Sequence, residues 1–427
     1  ISYIKDFSIF ERIDLRFFQI GILLLASAPS ISVILLLLSS IIGAFNRKDR
    51  YFQDKYNLVL IICSLIMIFN SFLITVNIIN IPASASFLTW IGLLNWLPLF
   101  WCYWGFQKYL NTTVLRSNTA KLLIIGSIPV LISGFSQYFL KIYGPFSFFN
   151  NLIIWYQRPL GDEGSISGLF NNPNYAAAWL SIIFPLCLGF FYINFRNLFY
   201  KYLNFSIVFS FVLMIILTIS RSALLAILFA YLSLQKFNKF MIFIIFISFI
   251  SIIGLFKFLS FIQIDLQDYI FDVLPAGTIK KFNSLNISNL DSSPRYEIWG
   301  KSLKFINENL FSGYGAGSFP EMYKSSNGNF EGIQHTHNIF LEIAFNHGIF
   351  VSILILFLMT MLLIKASKKF FFENQNQNFS YLDKAWIISF SNFLIIHMFD
   401  ITYFDVRISL LSWTLLAGLR TMIKDKK

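Results

Sequence analysis

The chain has 427 residues, of which 56% are apolar and only 13% are charged. Soluble domains carry about 25% charged residues, so this composition excludes a water-soluble protein and predicts a polytopic membrane protein. The formal net charge of +12 is then best explained by basic residues in cytoplasmic loops, which set membrane orientation, and not by binding to nucleic acid.

Long apolar runs predict the membrane-spanning helices, because one crossing needs about 20 apolar residues. Two runs, 17–45 and 205–234, are too long for one crossing and short for two. We expect no cleavable signal peptide before the first run. Single crossings are predicted at 58–81, 87–106, 122–140, 175–193, 240–262, 338–364, 385–403 and, shorter, at 406–419.

Basic residues flank both sides of each ambiguous run, so each run is interpreted as a helical pair with both ends in the cytoplasm. Pro29 would lie at the first reversal and 220–222 at the second. The sequence therefore predicts an all-α polytopic membrane protein with about 12 transmembrane helices. Both termini would be cytoplasmic, and 1–427 would form one integral membrane domain. Two segments, 141–174 and 263–337, would be large outer loops, where function is expected.

The end of the first outer loop places Asn172, Pro173 and Asn174 directly before a predicted span. Pro and Asn are typical of a helix start, so capping alone explains most of this pattern. The side-chain amide of Asn174 is also able to hydrogen-bond a sugar, and we keep it as a candidate substrate-binding residue.

Arg221 interrupts an otherwise apolar run. An arginine in the hydrocarbon costs at least about 2.5–3.5 kcal/mol, and the charge pattern places this one at the outer face, where it gains nothing for orientation. One interpretation is an arginine that snorkels at a helix turn. The other is a ligand for a phosphate at the lipid boundary, bound through the two-pronged guanidinium.

An amphipathic helix is predicted in the second outer loop after Ser293 and Pro294, which are favoured at an N-cap and a first turn. Arg295 falls in that first turn, where the helix dipole disfavours a cation. Free backbone N–H groups beside a guanidinium would form an anion pocket, and a solvated surface charge is the alternative. The glycine run 313–317 is interpreted as a tight turn, because no Walker lysine follows it. The apolar face of the helix is predicted from Trp299, Leu303, Ile306 and Leu310.

His335 and His337 lie two residues apart at the start of the predicted span 338–364. A metal site would need further ligands at defined spacings, so no metal is predicted. A histidine beside a candidate anion pocket is a candidate general base, with a purely structural role as the alternative. Asp400 and Asp405 are interpreted simply as interfacial carboxylates.

Four short motifs follow one another along the chain. They are GLFNNPNYAAA (168–178), SRSALLA (220–226), the stretch from RYEIW (295–299) to GYGAGSF (313–319), and HTHNIFLE (335–342) followed by Gly348. Together they resemble the O-antigen ligase and polymerase superfamily, to which similar cyanobacterial proteins once labelled bicarbonate transporters also belong.

The resemblance implies a glycosyltransferase-C-like membrane enzyme that needs no metal or other cofactor. Its donor would be an undecaprenyl-diphosphate-linked glycan at the periplasmic face of the inner membrane. Its acceptor would be a sugar hydroxyl of a glycolipid, such as lipid A core, or of another glycan. Arg221 and Arg295 match the family's diphosphate-binding arginines, with Arg158 as a rival for the second. His337 matches the family's essential histidine, and the neighbouring His335 is kept as a substrate-binding candidate whose role is open.

In this interpretation the paired arginines stabilise the lipid diphosphate leaving group. His337 takes the proton of the attacking hydroxyl, and the anomeric carbon inverts. Three alternatives stay open: a polymerase, whose acceptor is a second lipid-linked glycan, a protein-glycosylating ligase, and a transporter of bicarbonate or another anion. A transporter would need polar or interrupted helices at the midplane, which the spans predicted at 58–81 and 240–262 do not offer.

Overall fold

A computed structural model of the chain describes residues 9–45, 51–79, 85–160, 164–193, 197–235, 294–370 and 381–424. These ranges are almost entirely helical, with one short antiparallel hairpin in the segment 141–174. In chain order the elements are α1 (Ile9–Leu24), α2 (Pro29–Phe45), α3 (Lys55–Thr75), α4 (Ala85–Leu93), α5 (Leu97–Phe106), α6 (Thr113–Gly126), α7 (Ile128–Phe139), β1 (Phe146–Phe148), β2 (Ile153–Trp155), α8 (Pro173–Phe191), α9 (Leu198–Leu217), α10 (Arg221–Leu234), α11 (Pro294–Glu308), α12 (Phe319–Ser325), α13 (Ile339–His347), α14 (Ile349–Lys368), α15 (Tyr381–His397) and α16 (Val406–Lys424).

Within these ranges, six helical segments are long and apolar enough to cross a membrane. The α6–α7 pair counts as one such segment, and the others are α3, α8, α9, α14 and α16. The helices α2 and α10 are apolar but shorter. The protein is therefore a helical, multi-pass membrane protein. The count of about 12 crossings stays a prediction, and the span predicted at 240–262 lies outside the described residues.

Both ambiguous apolar runs form two helices each. In the first run the break falls at 25–28, and Pro29 begins α2, since proline is well tolerated in a first helical turn. The Ser32 hydroxyl donates to the Gly21 carbonyl oxygen at 2.7 Å, which holds α2 against α1. In the second run α9 ends at Leu217 and α10 begins at Arg221. The predicted division of each run into a helical pair is thus confirmed, whereas its orientation in the membrane stays a prediction.

The helices α8, α15 and α16 form the buried centre of the bundle. Trp386 of α15 donates its indole N–H to the Leu415 carbonyl oxygen of α16 at 2.9 Å. Asn392 of α15 donates its side-chain amide to the Ser181 carbonyl oxygen of α8 at 2.7 Å. Buried polar groups require such partners, so these bonds fix the three helices in register. The start of α8 and the turn between α15 and α16 carry parts of the site described below.

The described part of the second loop folds onto α13 through an aromatic cluster. Phe345 of α13 packs against Phe305 of α11, Tyr314 and Phe319, with ring centroids 6.0, 5.3 and 5.0 Å away. The face predicted for α11 is only partly correct: Ile306 is buried, but Leu303 is 56% exposed. The face that packs against the protein is instead Ile298, Ser302, Phe305 and Ile306. Helical spacing alone does not separate these two adjacent stripes.

The glycine run after α11 is a tight turn, as predicted. The N–H of Tyr314 donates to the Phe345 carbonyl oxygen at 2.7 Å, and that of Gly315 donates to the Asn346 carbonyl oxygen at 3.0 Å. Gly313 has φ +66°, and a Cβ there would lie 2.6 Å from the Phe345 carbonyl oxygen. These N–H groups are used to dock the turn on α13 and are not free to bind a phosphate.

Candidate functional site

A cluster of charged and polar side chains forms where several helix ends meet. His337 precedes α13, Arg295 lies in the first turn of α11, and Arg221 begins α10. Asn174 lies in the first turn of α8, and Asp400 follows α15. Helix N-termini carry unpaired backbone N–H groups and a positive field, so four of these five positions share an environment that favours anions.

Asp400 connects three parts of the chain. Its Oδ1 atom pairs with His337 Nδ1 at 2.9 Å and accepts from the Ile401 N–H at 2.9 Å. Its Oδ2 atom accepts from the Asn174 side-chain amide at 2.8 Å. The carboxylate is buried, and it is not the simple interfacial group predicted from the sequence. Its partner lies 63 residues away along the chain and therefore left no local signal in the sequence.

Asp400 is held in its ionised form. Burial alone would raise the pKa of its carboxyl group, but the hydrogen bond from His337 and the positive charges around it, including Arg295, lower the pKa overall. An ionised carboxylate only accepts hydrogen bonds, so His337 Nδ1 carries the proton in this pair. In the neutral tautomer with this proton on Nδ1, the lone pair of the ring lies on the other nitrogen, Nε2.

The backbone around His337 is fixed on both sides. His337 has φ +55°, a conformation that non-glycine residues rarely adopt and that often marks a functional site. On one side, the Thr336 N–H donates to the buried Glu342 carboxylate at 2.9 Å. On the other, the Asn338 side chain caps α13 by accepting from the Phe340 N–H at 2.9 Å and donates to the Met398 carbonyl oxygen at 3.1 Å. The second bond ties His337 to the turn that carries Asp400.

Arg295 and Arg221 lie beside this pair. Arg295 is half-buried, and its burial lowers the pKa of the guanidinium. The charge of Asp400 raises that pKa and the charge of Arg221 lowers it. Both groups therefore lie close enough to Arg295 to affect its charge electrostatically. Arg221 is exposed, and no side-chain oxygen caps α10, because Ser220 makes no capping bond. Two guanidinium groups and an uncapped helix start give this side of the site an affinity for a multiply charged anion.

His335 packs edge-on against His337, with the ring centroids 4.4 Å apart. Burial, and then the charge of His337, lower the pKa of His335 to about 4. The ring is therefore neutral at neutral pH. Its buried Nδ1 atom has no hydrogen-bond partner in the described part of the chain.

The low pKa of His335 allows a test of whether this residue transfers a proton. A pKa of about 4 leaves the ring uncharged over the whole range from pH 6 to pH 8. We expect the His335→Gln variant to show the same pH dependence of activity in this range as the unmodified protein, even if its turnover is lower. Initial rates over a pH series measure this, and loss of a titration step in that range would show that His335 carries a proton in the reaction.

His335, His337 and Asp400 together resemble a set of metal ligands. Their ligand atoms lie within 4.8 Å of one another, and imidazole and carboxylate suit a divalent cation such as zinc. The positive charge of Arg295, which reaches Asp400, opposes a second cation there. The prediction of a metal-free site stays a prediction, and the electrostatics favour it.

All five sequence-predicted site residues thus fall in one neighbourhood: His337, His335, Arg221, Arg295 and Asn174. Among the described residues, no contact connects Arg158 with this neighbourhood. Its Nε atom instead donates to Asn171 Oδ1 at 2.6 Å. Two side chains that build the site, Asp400 and Glu342, were not predicted from the sequence as site residues. Each acts through a partner that only the fold brings close.

The fold and this cluster define a helical, multi-pass membrane protein with a paired-arginine and histidine–aspartate site. Residues 205–356 match the family model Wzy_C, described as O-Antigen ligase. This part of the chain is therefore similar to an O-antigen ligase domain, and the match supports the resemblance to the O-antigen ligase superfamily seen in the sequence motifs. The matched range contains Arg221, Arg295, His335 and His337, whereas Asn174 and Asp400 lie outside it. The chain matches no curated protein.

Proposed function

We propose that the protein is an O-antigen-ligase-like glycosyltransferase. It moves a glycan from undecaprenyl diphosphate to a sugar hydroxyl of an acceptor glycolipid, such as lipid A core, or of another glycan. The observation that carries this proposal is the hydrogen bond between His337 Nδ1 and Asp400 within electrostatic reach of Arg295. That arrangement supports the proposal, because displacement of a diphosphate by a hydroxyl requires a proton acceptor next to an anion-binding group.

Arg221 and Arg295 bind the diphosphate of the donor. A guanidinium matches the oxygens of a phosphate through two parallel N–H bonds. When the bond between the anomeric carbon and the diphosphate breaks, the electron pair leaves with the diphosphate, and the arginines stabilise the added negative charge. The half-buried position of Arg295 strengthens this effect, because charges interact more strongly away from water.

His337 activates the acceptor. Its Nε2 atom removes the proton of the acceptor hydroxyl while the oxygen forms its bond to the anomeric carbon. The resulting imidazolium is stabilised by Asp400, which accepts the hydrogen bond from Nδ1. Direct displacement gives inversion at the anomeric carbon, and undecaprenyl diphosphate is released. The proposed reaction uses no metal.

The proposed setting is the inner membrane of a bacterium, with a glycosyltransferase-C-like fold of about 12 crossings. Both termini lie in the cytoplasm, and the site faces the periplasm, where the lipid-linked donor is presented. The support for this orientation is the excess of Lys and Arg in the loops that would then be cytoplasmic.

Asp400 offers a test of the proton-transfer step. Its two oxygens accept from His337 and from Asn174, but an asparagine in this position would present one oxygen and one NH₂ group to two donors. We expect Asp400→Asn to lower kcat at least about tenfold, because general-base assistance is worth about 10²–10⁴-fold. The KM for the donor should change little, since the arginines are intact. Steady-state kinetics with varied donor measure both values, and an unchanged kcat would contradict the role of this pair.

The lipid-linked glycans that accumulate in a deletion strain test the function itself. A ligase deletion accumulates full-length glycan on the lipid, a polymerase deletion accumulates single repeat units, and loss of an anion transporter causes neither. We expect the first result. The second would assign the polymerase reaction, and the third would contradict the enzyme proposal.

A further inference from the structure

A cavity of about 450 Å³ opens between residues 158–159, residues 165–172 and the start of α8, and this volume lies within the roughly 300–1,000 Å³ typical of small-molecule sites. We call it the loop cavity. Its polar lining consists of Arg158, Ser165, Ser167, Asn171, Asn172 and Tyr175. None of these side chains has a role in the transfer reaction described above.

The two asparagines of the loop cavity have a fixed orientation. Asn171 Oδ1 accepts from Arg158 Nε at 2.6 Å, and Asn172 Oδ1 accepts from the Asn174 N–H at 2.8 Å. The guanidinium Nε of Arg158 and the backbone N–H of Asn174 only donate hydrogen bonds. Their partner atoms in the two amides must therefore be the oxygens, which fixes the positions of the amide nitrogens. The NH₂ group of each asparagine has no partner among the described residues, and it remains for a ligand.

Arg158 adds a charged donor to this lining. Its side chain is exposed, and only its Nε atom is hydrogen-bonded within the described ranges. No described residue hydrogen-bonds the terminal nitrogens, and in a guanidinium these nitrogens form the fork that matches a carboxylate or phosphate. The loop cavity thus offers two amide NH₂ groups and a guanidinium. A ligand that fits them is rich in acceptors and negatively charged.

The loop cavity adjoins the acceptor side of the site. Asn172 lies in its wall, and Asn174, two residues further on, donates to Asp400. Asp400 in turn holds His337, the proposed base for the acceptor hydroxyl. Tyr175, also in the wall, is within electrostatic reach of Asp400. No such bond connects the loop cavity to Arg221 or Arg295 in the described part of the chain.

We propose that the loop cavity binds the acceptor glycan at a sugar that carries an anionic substituent, a carboxylate or a phosphate. The identification of this ligand as the acceptor rests on the proposed function, whereas the binding of an anionic sugar does not depend on it. The cavity then selects the acceptor by its charge and positions a hydroxyl near His337.

Direct binding tests the proposal without turnover. The probes are a glucuronic-acid-containing disaccharide, its carboxyl-reduced neutral counterpart and a phosphorylated disaccharide, titrated against the purified full-length protein in nanodiscs. We expect at least one anionic probe to bind about tenfold or more tightly than the neutral one. Arg158→Gln should remove this preference, and so should Asn172→Asp, which keeps a good helix cap but replaces the NH₂ donor by a carboxylate oxygen. The matched control Arg16→Gln, at an exposed position of α1, should retain it.

Equal binding of the charged and neutral probes, or a preference that survives both cavity variants, would overturn the proposal. Competition kinetics then identify the source of the bound sugar: the anionic probe should raise the KM for the acceptor and leave the KM for the donor unchanged. The opposite result would assign the loop cavity to the donor glycan and overturn the acceptor assignment. Binding without any transfer would instead contradict the proposed function and leave the anionic-sugar site intact.

Discussion

The His337→Ala variant is expected to lose glycan transfer, with a fall of about 10²–10⁴-fold in kcat. The substitution removes Nε2 of His337, the proposed base, so the acceptor hydroxyl keeps its proton during attack. Donor binding should survive, because Arg221 and Arg295 are unchanged. Turnover with a lipid-diphosphate glycan, together with separate measurement of donor binding, separates these two effects.

His335→Gln is the matched histidine control for this experiment. His335 packs against His337 but has no hydrogen bond to Asp400, so its replacement should leave measurable transfer. Thermal unfolding of both variants in detergent shows whether the fold is intact. Normal turnover by a folded His337→Ala variant would exclude this residue as the base.

Arg221→Lys is expected to lower kcat about a hundredfold, which is typical for the loss of one charge-stabilising donor in a transition state. Lysine keeps the charge but is a point donor without the planar fork, so it cannot hold two phosphate oxygens at once. Because the added charge of the leaving group appears as the bond breaks, the effect should fall on kcat more than on donor affinity.

Arg16→Lys serves as the matched control for the arginine substitution, since Arg16 is exposed on α1 and belongs to none of the site contacts. It should retain full activity. A double variant of Arg221 and Arg295 should lose far less than the product of the two single losses if both act on the same diphosphate. Full activity of Arg221→Lys would reject the diphosphate role for this residue.

Much of the fold was predictable because membrane helices carry their signal in composition. The two long apolar runs were correctly divided into helical pairs, since basic residues on both flanks made a single crossing unfavourable. The predicted face of α11 was wrong at Leu303, because two neighbouring stripes of that helix are both apolar. The choice between them depends on the aromatic cluster around Phe345, which the sequence of α11 does not contain.

The candidate site was predictable where local rules were broken. Arg221 stood out as a charge in an apolar run, and Arg295 as a cation at a helix start. Asp400 obeyed every local rule, as an acidic residue in a turn between two helices, so nothing distinguished it from Asp405. Asp405 pairs with Arg407, two residues further along the chain, whereas Asp400 pairs across the fold with His337. That tertiary contact is what makes Asp400, and not Asp405, part of the candidate site.

Transfer by the purified protein is the most direct test of the proposed activity. The protein in nanodiscs is incubated with an undecaprenyl-diphosphate-linked glycan and candidate acceptors, in the presence of a metal chelator. The prediction is a new glycosidic bond with inverted configuration at the anomeric carbon, together with release of undecaprenyl diphosphate. If the donor stays intact with every acceptor, while the same protein moves bicarbonate or another anion across a vesicle membrane, the glycosyltransferase assignment is wrong.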